Sequence, residues 1–420
     1  LRSLVGSEMC IRDRLKGGKP EEAVPQSPPE PPSTAPSATT ATMEEEVPII
    51  EEEETEPVTI ELGLTEFGLN DLLLKLVELG GSDLHLESGA PPVYRIKGDM
   101  NFVNMPPLSS EDLEALFLPL ISEREIKNFE KTGNLDFAYE IEGVARFRVN
   151  LLKQYNGVGA VFRVIPSKIP TVEQLNLPPV LKDLVMAKRG IIIVTGPTGS
   201  GKSTTMAAMI NYVNDTRHAH IITIEDPIEF THESRQCLID HRQIGLHAKS
   251  FPDALKAALR EDPDIVLVGE MRDLETIALA ITAAEMGILV LGTLHTNSAA
   301  KTIDRIIDVF PSKQQEQVRT QLSQSLRGIV AQQLLKTADG AGRCAAVEIL
   351  ICNIGLANLI REGKTNQISS FIQMGKEEGM RTMDDALIEL FKQGKITPQL
   401  ALERAVEKTR VKKYIDGGSG

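Results

Sequence analysis

Tryptophan is absent, and aromatic residues make up only 4% of the 420-residue chain. Any core must rest on Leu, Ile, Val and Met, which the 41% hydrophobic content supplies in quantity. No apolar run reaches the roughly 20 residues that a membrane-spanning helix needs. The four cysteines, Cys10, Cys237, Cys344 and Cys352, are scattered, and none forms a C-x-x-C pair. A structural zinc site or disulfide framework is not expected, and free thiols in a reducing cytoplasm fit this pattern. Positive charge is also in short supply. Against 59 Asp and Glu stand 45 Lys and Arg, a net −14. Nucleic-acid phosphate is held by basic surface, so no direct nucleic-acid partner is expected.

The charge is unevenly spread. Residues 1–60 carry 5 basic and 13 acidic side chains, hence −8 of the −14. Lys19 to Met43 is rich in Pro, Ser, Thr and Ala, and Glu44–Glu46, Glu51–Glu54 and Glu56 follow. Such a segment has too little apolar surface to offset the entropy of ordering it. A disordered acidic tail is expected over 1–60, with a docking tail for a basic partner as the alternative. Leu1 to Arg14 lacks a signal-peptide layout and resembles sequencing-adapter read-through, so Met43 is the expected start.

Residues 61–165 predict a small α/β domain. Leu69 to Leu79 has helical apolar spacing, and Ser109-Ser-Glu-Asp112 marks a second helix start. Ser82–Leu86, Pro92–Gly98, Leu135–Ile141, Ala145–Leu151 and Gly159–Val164 alternate like strands. Arg146, Arg148 and Arg163 interrupt them, either as solvent-facing residues or as arginines aimed at a phosphate. Four prolines, Pro166, Pro170, Pro178 and Pro179, predict a linker or hinge over 166–179. From 180 to 414, strands alternate with helices, the pattern of a parallel α/β sheet. Expected strands are Ile221–Ile224, Asp264–Val268, Ile288–Thr293 and Cys344–Ile351. Expected helices are Phe251–Glu261, Leu274–Glu285, Leu356–Arg361, Thr382–Gln393 and Thr397–Lys408, with a frayed end from Gly417.

The stretch from Gly190 to Thr205 carries the sharpest signal. Four apolar residues, Ile191 to Val194, read as a buried strand, and Met206-Ala-Ala-Met-Ile210 continues as a helix. Between them Gly196, Pro197, Thr198, Gly199, Ser200, Gly201, Lys202 and Ser203 fit G-x-x-x-x-G-K-[ST], followed by Thr204. Glycines let backbone N–H groups turn inward around a polyphosphate, and the helix N-terminus adds its positive dipole end. Lys202 is expected to reach the β/γ-phosphates and Ser203 to offer its hydroxyl to Mg²⁺. The segment predicts binding of ATP or GTP.

Two further strand ends supply carboxylates. Ile265-Val-Leu-Val-Gly-Glu270 places Glu270 to orient or deprotonate the attacking water. Ile224-Glu-Asp-Pro-Ile-Glu229 offers Glu229 first and Glu225 second for water or Mg²⁺ positioning. Gly292-Thr-Leu-His-Thr-Asn-Ser298 places His295 to sense the γ-phosphate. Arg272 and Arg305 are candidates for charge neutralisation, in the same or an adjacent subunit.

Four boxes together resemble the secretion-superfamily ATPases: Gly196–Thr205, Ile222–Glu229, Leu259–Asp264 with Val268–Asp273, and Gly292–Asn297. Ser82–Leu86, Arg146–Asn150, Asn358–Lys364 and Gly379–Asp384 are similar to the type IV pilus retraction branch, and the likeness spans about residues 66–412. It implies a PAS-like N-terminal domain, a RecA-like ATPase domain and a homo-hexameric ring driving pilus retraction, the motor of twitching motility. It also implies ATP and Mg²⁺ as cofactors, and arginines at Arg148 and Arg163 that contact the nucleotide. The implied partner is a platform protein of the inner membrane, with the ring cytoplasmic and peripheral to that membrane. The short loop from Lys336 to Arg343 has no four-cysteine insert, which favours the retraction branch. Ile288, His241-Arg-Gln243 and Ala357 depart from the family pattern. Alternative readings are an accessory retraction ATPase, a weakly hydrolysing regulatory subunit or a nucleic-acid translocase.

Overall fold

The computed structural model describes residues 68–96, 98–165, 168–340 and 342–417. The acidic tail, the expected start at Met43 and residues 418–420 lie outside the described residues.

The chain builds two sheets. The first opens with helix α1 (Leu69–Glu78), followed by β1 (Asp83–Glu87), β2 (Val93–Ile96) and β3 (Asp99–Phe102). Helices α2 (Ser110–Phe117) and α3 (Glu123–Thr132) follow, then β4 (Asn134–Ile141), β5 (Ala145–Gln154) and β6 (Gly157–Ile165). Ser109 and Ser122 cap α2 and α3, each accepting from the N3 backbone while the N3 carboxylate reaches back. The six strands pair antiparallel in the order β3-β2-β1-β6-β5-β4. Alternation sets the faces. Along β5, Ala145, Phe147, Val149 and Leu151 are buried, while Arg146, Arg148 and Asn150 are partly exposed. Tyr94 is fully buried, and its hydroxyl is satisfied by the Leu72 carbonyl at 2.9 Å.

The second sheet begins after α4 (Val180–Val185) with β7 (Gly190–Thr195), every residue of which is buried. Then come α5 (Lys202–Thr216), β8 (His220–Glu225), β9 (Leu238–Gln243), α6 (Phe251–Ala258), β10 (Ile265–Val268), α7 (Leu274–Glu285) and β11 (Leu289–Leu294). Helices α8 (Ala299–Asp308) and α9 (Ser312–Ser325) lead to β12 (Leu326–Lys336) and β13 (Arg343–Ile351). The order is β13-β12-β7-β11-β10-β8-β9, all parallel except the β12–β13 pair. Apolar cores cover both faces, one built on α5 and the other on α6 to α9, as continuous apolar strands require. Helices α10 (Ile354–Arg361), α11 (Ile368–Met374), α12 (Met383–Lys392), α13 (Pro398–Arg404) and α14 (Lys408–Gly417) complete the chain.

Several elements differ from the expectation. Strands β3, β9 and β12 and helix α3 were not anticipated. β9 is mostly polar, and β12 starts directly from the end of α9 with no turn signal. Residues 168–179, the described part of the expected linker or hinge, lack helix or strand. Val172 and Leu177 are buried in the same core as Leu181. The helix expected over Thr397–Lys408 is broken into α13 and α14. The buried Asp384 carboxylate accepts the backbone N–H groups of Val406 and Glu407 at 2.8 and 2.9 Å, outside any helical ladder. A second buried acid, Glu348 of β13, accepts from the N–H of Ala299 at 2.8 Å and of Met383 at 3.4 Å, the first residues of α8 and α12.

Asp384→Ala leaves two backbone donors unpaired beneath the break. A loss of about 2–4 kcal/mol in urea unfolding is expected from the usual cost of orphaned buried groups. An unchanged midpoint would show that water replaces the carboxylate.

Candidate active site

The parallel strands β7, β11, β10 and β8 end on one edge of the sheet, and the singled-out residues of the second sheet, Arg305 aside, follow those ends. The phosphate loop leaves β7 at Thr195 and enters α5 at Lys202. Gly196, Gly199 and Gly201 adopt φ of 147°, 77° and 85°, the region that glycine reaches without strain. At Gly196 a Cβ would lie 2.2 Å from the Gln332 carbonyl oxygen, so no other residue fits there. The N–H groups of Gly199 and Gly201 have no hydrogen-bond partner among the described residues. The buried Ser200 hydroxyl has none either. Lys202 is 8% exposed and folds back over the loop, donating to the carbonyls of Gly196 at 2.9 Å and Pro197 at 3.1 Å. Burial lowers its pKa, while the charges of Glu270 and Glu229 oppose that shift. Ser203 and Thr204 sit half-buried in the first turn of α5. Unsatisfied donors, a buried ammonium and a helix N-terminus suit a polyphosphate.

The acids and the histidine converge on this loop. Glu270 forms an ion pair with Arg272, and its Oε1 lies 3.1 Å from His295 Nε2. Both contacts fall on Oε1, and Oε2 has no partner among the described residues. The His295 pKa is lowered chiefly by burial and then by Lys202, against the pull of Glu270, so the ring is neutral at neutral pH. Strand ends are cross-tied. Thr296 N–H donates to Thr195 Oγ1 at 2.9 Å, Met271 N–H to the Thr293 carbonyl at 3.0 Å, and Gly269 N–H to the Ile224 carbonyl at 2.8 Å. On β8, burial pushes the Glu225 carboxyl up to about 7, while Thr223, the Glu229 N–H and the Arg146 charge favour its anion. Glu229 donates its N–H to Glu225 Oε2 at 3.3 Å.

Glu225, Glu229, Glu270, Arg272, His295 and Lys202 are thus brought together around the loop. Arg148 and Arg163 of the first sheet are not. Arg163 pairs with the buried Asp83 at 2.7 Å, its cross-strand partner, and Arg148 lies 3.8 Å from Asp136. Neither forms a hydrogen bond or ion pair with the loop. Arg146 is the arginine of that sheet whose charge reaches Glu225 and His241. Arg305 is exposed on α8 and makes no hydrogen bond or ion pair among the described residues. Residues missed from the sequence include Thr195, Thr223 and Gln332. Gln332 reaches the loop from β12, and its polar pair Gln332-Gln333 inside an apolar run was the available signal.

A carboxyl with a raised folded pKa binds its proton more tightly in the native chain than in the unfolded one. Its stabilising contribution is complete below about 4.5 and is lost as pH rises through about 7. Glu225→Gln should flatten that slope. Urea midpoints at about pH 5 and about pH 8 should differ less in the variant than in the parent. An equal or steeper slope would place the titration elsewhere.

Known proteins resemble this chain over most of its length. Residues 61–396 match the family described as Type II/IV secretion system protein. A curated relative from Pseudomonas aeruginosa, named Type IV pilus retractation ATPase PilT, is 51% identical over 337 residues, covering 80% of this chain and 98% of that protein. The Twitching motility protein of Neisseria gonorrhoeae is 52% identical over 314 residues, covering 75% of this chain and 84% of that protein. A crystal structure of the pilus retraction motor PilT with bound ADP superposes with a TM-score of 0.77 at 47% identity. It covers 83% of this chain and all of that one. The chain belongs to the Type II/IV secretion system protein family.

Proposed function

We propose that this chain is an ATP-hydrolysing motor subunit that drives type IV pilus retraction, working as a homo-hexamer against a platform protein of the inner membrane. The observation that carries the catalytic part is the meeting of Lys202 and Glu270 at the end of the central strands, with Glu270 held by His295 and Arg272 on one oxygen only. The pilus, the ring and the platform partner rest on the relatives named above.

Chemically, the loop from Gly196 to Thr204 binds the phosphates, and Lys202 leaves the loop carbonyls for the β/γ-oxygens. The free Oε2 of Glu270 accepts a proton from water as the water oxygen bonds to the γ-phosphorus. The bond from that phosphorus to the β,γ-bridging oxygen breaks, and ADP and inorganic phosphate leave. His295 fixes the carboxylate and senses the γ-phosphate, while Glu229 orders water. Ser203 and Glu225 would hold Mg²⁺, which offsets phosphate charge when bound. Burial makes the Glu225 carboxyl hold its proton more tightly than an exposed one, so a cation there would have to displace that proton. Arg272 is 77% exposed in its side chain, and Arg305 is also on the surface. Arg272 and Arg305 would neutralise phosphate charge in the same or an adjacent subunit, and Arg148 and Arg163 would contact the nucleotide.

Two substitutions separate binding from chemistry. Lys202→Ala should abolish nucleotide binding. Glu270→Gln should retain it and reduce phosphate release by about 100-fold or more, the usual size of a lost general base. Unchanged turnover in both would refute the assignment. Tight binding with negligible turnover by the unaltered chain would instead mark a regulatory subunit.

Light scattering tests the ring. A particle of about six times the 46.0 kDa chain mass is expected with nucleotide. A strict monomer with and without nucleotide would leave Arg272 and Arg305 no partner to serve.

A further inference from the structure

Gln332 is the one polar side chain of β12 that enters the phosphate loop, and it is 3% exposed. Its Nε2 donates to the Ser200 carbonyl at 2.6 Å, and its Oε1 accepts from the Thr205 hydroxyl at 2.8 Å. One amide thus ties the crest of the loop to the first turn of α5. The backbone at the same position closes on the other end of the loop, since the Gln332 carbonyl would lie 2.2 Å from a Cβ on Gly196.

The contact with Ser200 has a geometric consequence. A trans peptide is planar, and its C=O and N–H point in opposite directions. Holding the Ser200 carbonyl toward β12 turns the Gly201 N–H away from β12 and into the concave side of the loop. That N–H has no partner among the described residues, and Gly201 sits at φ 85°, which such an orientation needs. A flipped peptide would present the carbonyl oxygen to the phosphates, replacing attraction with repulsion. Without the amide, the flip costs only the local backbone preference, which glycine makes small.

We propose that Gln332 is a positioning residue for the phosphate loop: its side-chain amide fixes the Ser200–Gly201 peptide so that the Gly201 N–H faces the nucleotide phosphates. The inference rests on the nucleotide-binding reading of this loop and adds a residue outside the motif that makes the motif competent. Gln332 touches no reacting atom. Its effect is on the affinity for the phosphate chain in the ground state, carried through a peptide plane.

Three variants of the full chain test it, read by titration with a fluorescent ATP analogue and by KM and kcat for phosphate release. Gln332→Leu removes both bonds. Gln332→Glu keeps an acceptor for Thr205 and loses the donor to Ser200. Thr205→Val removes the helix bond alone. Gln332→Leu and Gln332→Glu should each weaken binding and raise KM by about tenfold or more, the equivalent of one lost hydrogen bond with an unfavourable dipole in its place. Agreement between them excludes simple charge repulsion, since Leu carries none. Thr205→Val should change affinity by less than about threefold. Nucleotide-free melting temperatures provide the control, and Gln332→Glu serves if the Leu variant does not fold. Parental affinity in both Gln332 variants overturns the inference. So does an equal loss in Thr205→Val, which would assign the effect to helix anchoring, or a loss that merely tracks melting temperature. If the unaltered chain binds no nucleotide, the reading of the loop itself falls. If it binds and the variants match it, only the role of Gln332 does.

Discussion

A loop that grips a polyphosphate must aim N–H groups inward and send its carbonyls elsewhere, and most of the second sheet is arranged to meet that demand. Three glycines with positive φ supply the curvature. The carbonyls they displace then find partners within the protein. Lys202 takes those of Gly196 and Pro197, and Gln332 takes that of Ser200. An ammonium resting on loop carbonyls is already desolvated when phosphate arrives, so its transfer costs less than pulling a hydrated lysine from bulk water.

Around this loop, strand ends rather than loops determine the geometry. Each of the four central strands delivers one element: the loop from β7, the Glu225 box from β8, Glu270 from β10 and His295 from β11. Backbone hydrogen bonds between neighbouring ends hold these elements in register. The consequence is a site whose parts move with the sheet, while the half-exposed carboxylates and histidine retain freedom at their tips. Glu270 illustrates the balance, with one oxygen anchored and the other open.

Much of this was legible in the sequence, for a physical reason in each case. The loop motif is a contiguous solution to a local problem, so residues 196–203 revealed it without any tertiary information. Apolar runs such as Ile191–Val194 and Ile265–Val268 read correctly because a parallel sheet buried on both faces tolerates nothing else. Gln332 was not legible, since it lies 132 positions from Ser200 and its meaning depends on β12 pairing beside β7. A shorter separation, 22 and 23 positions, hid Asp384, whose hold on Val406 and Glu407 ends a helix that the local pattern alone extends. Arg148 and Arg163 show what residue type alone leaves open. Their types suited phosphate, but strand register gave Arg163 a buried aspartate across the ladder. Arg146, on the other hand, is the one whose field extends to Glu225.

Glu348 links regions that seem unrelated along the chain. Burial raises its pKa, and its two oxygens are spent on separate helix beginnings, those of α8 and α12. Helix α8 starts four residues beyond His295, whereas α12 belongs to the C-terminal helices. The carboxylate therefore acts as a shared pivot. A tilt of α8 that left α12 where it was would strip a buried carboxyl of one of its two donors, so the beginnings of these two helices are held to a common position.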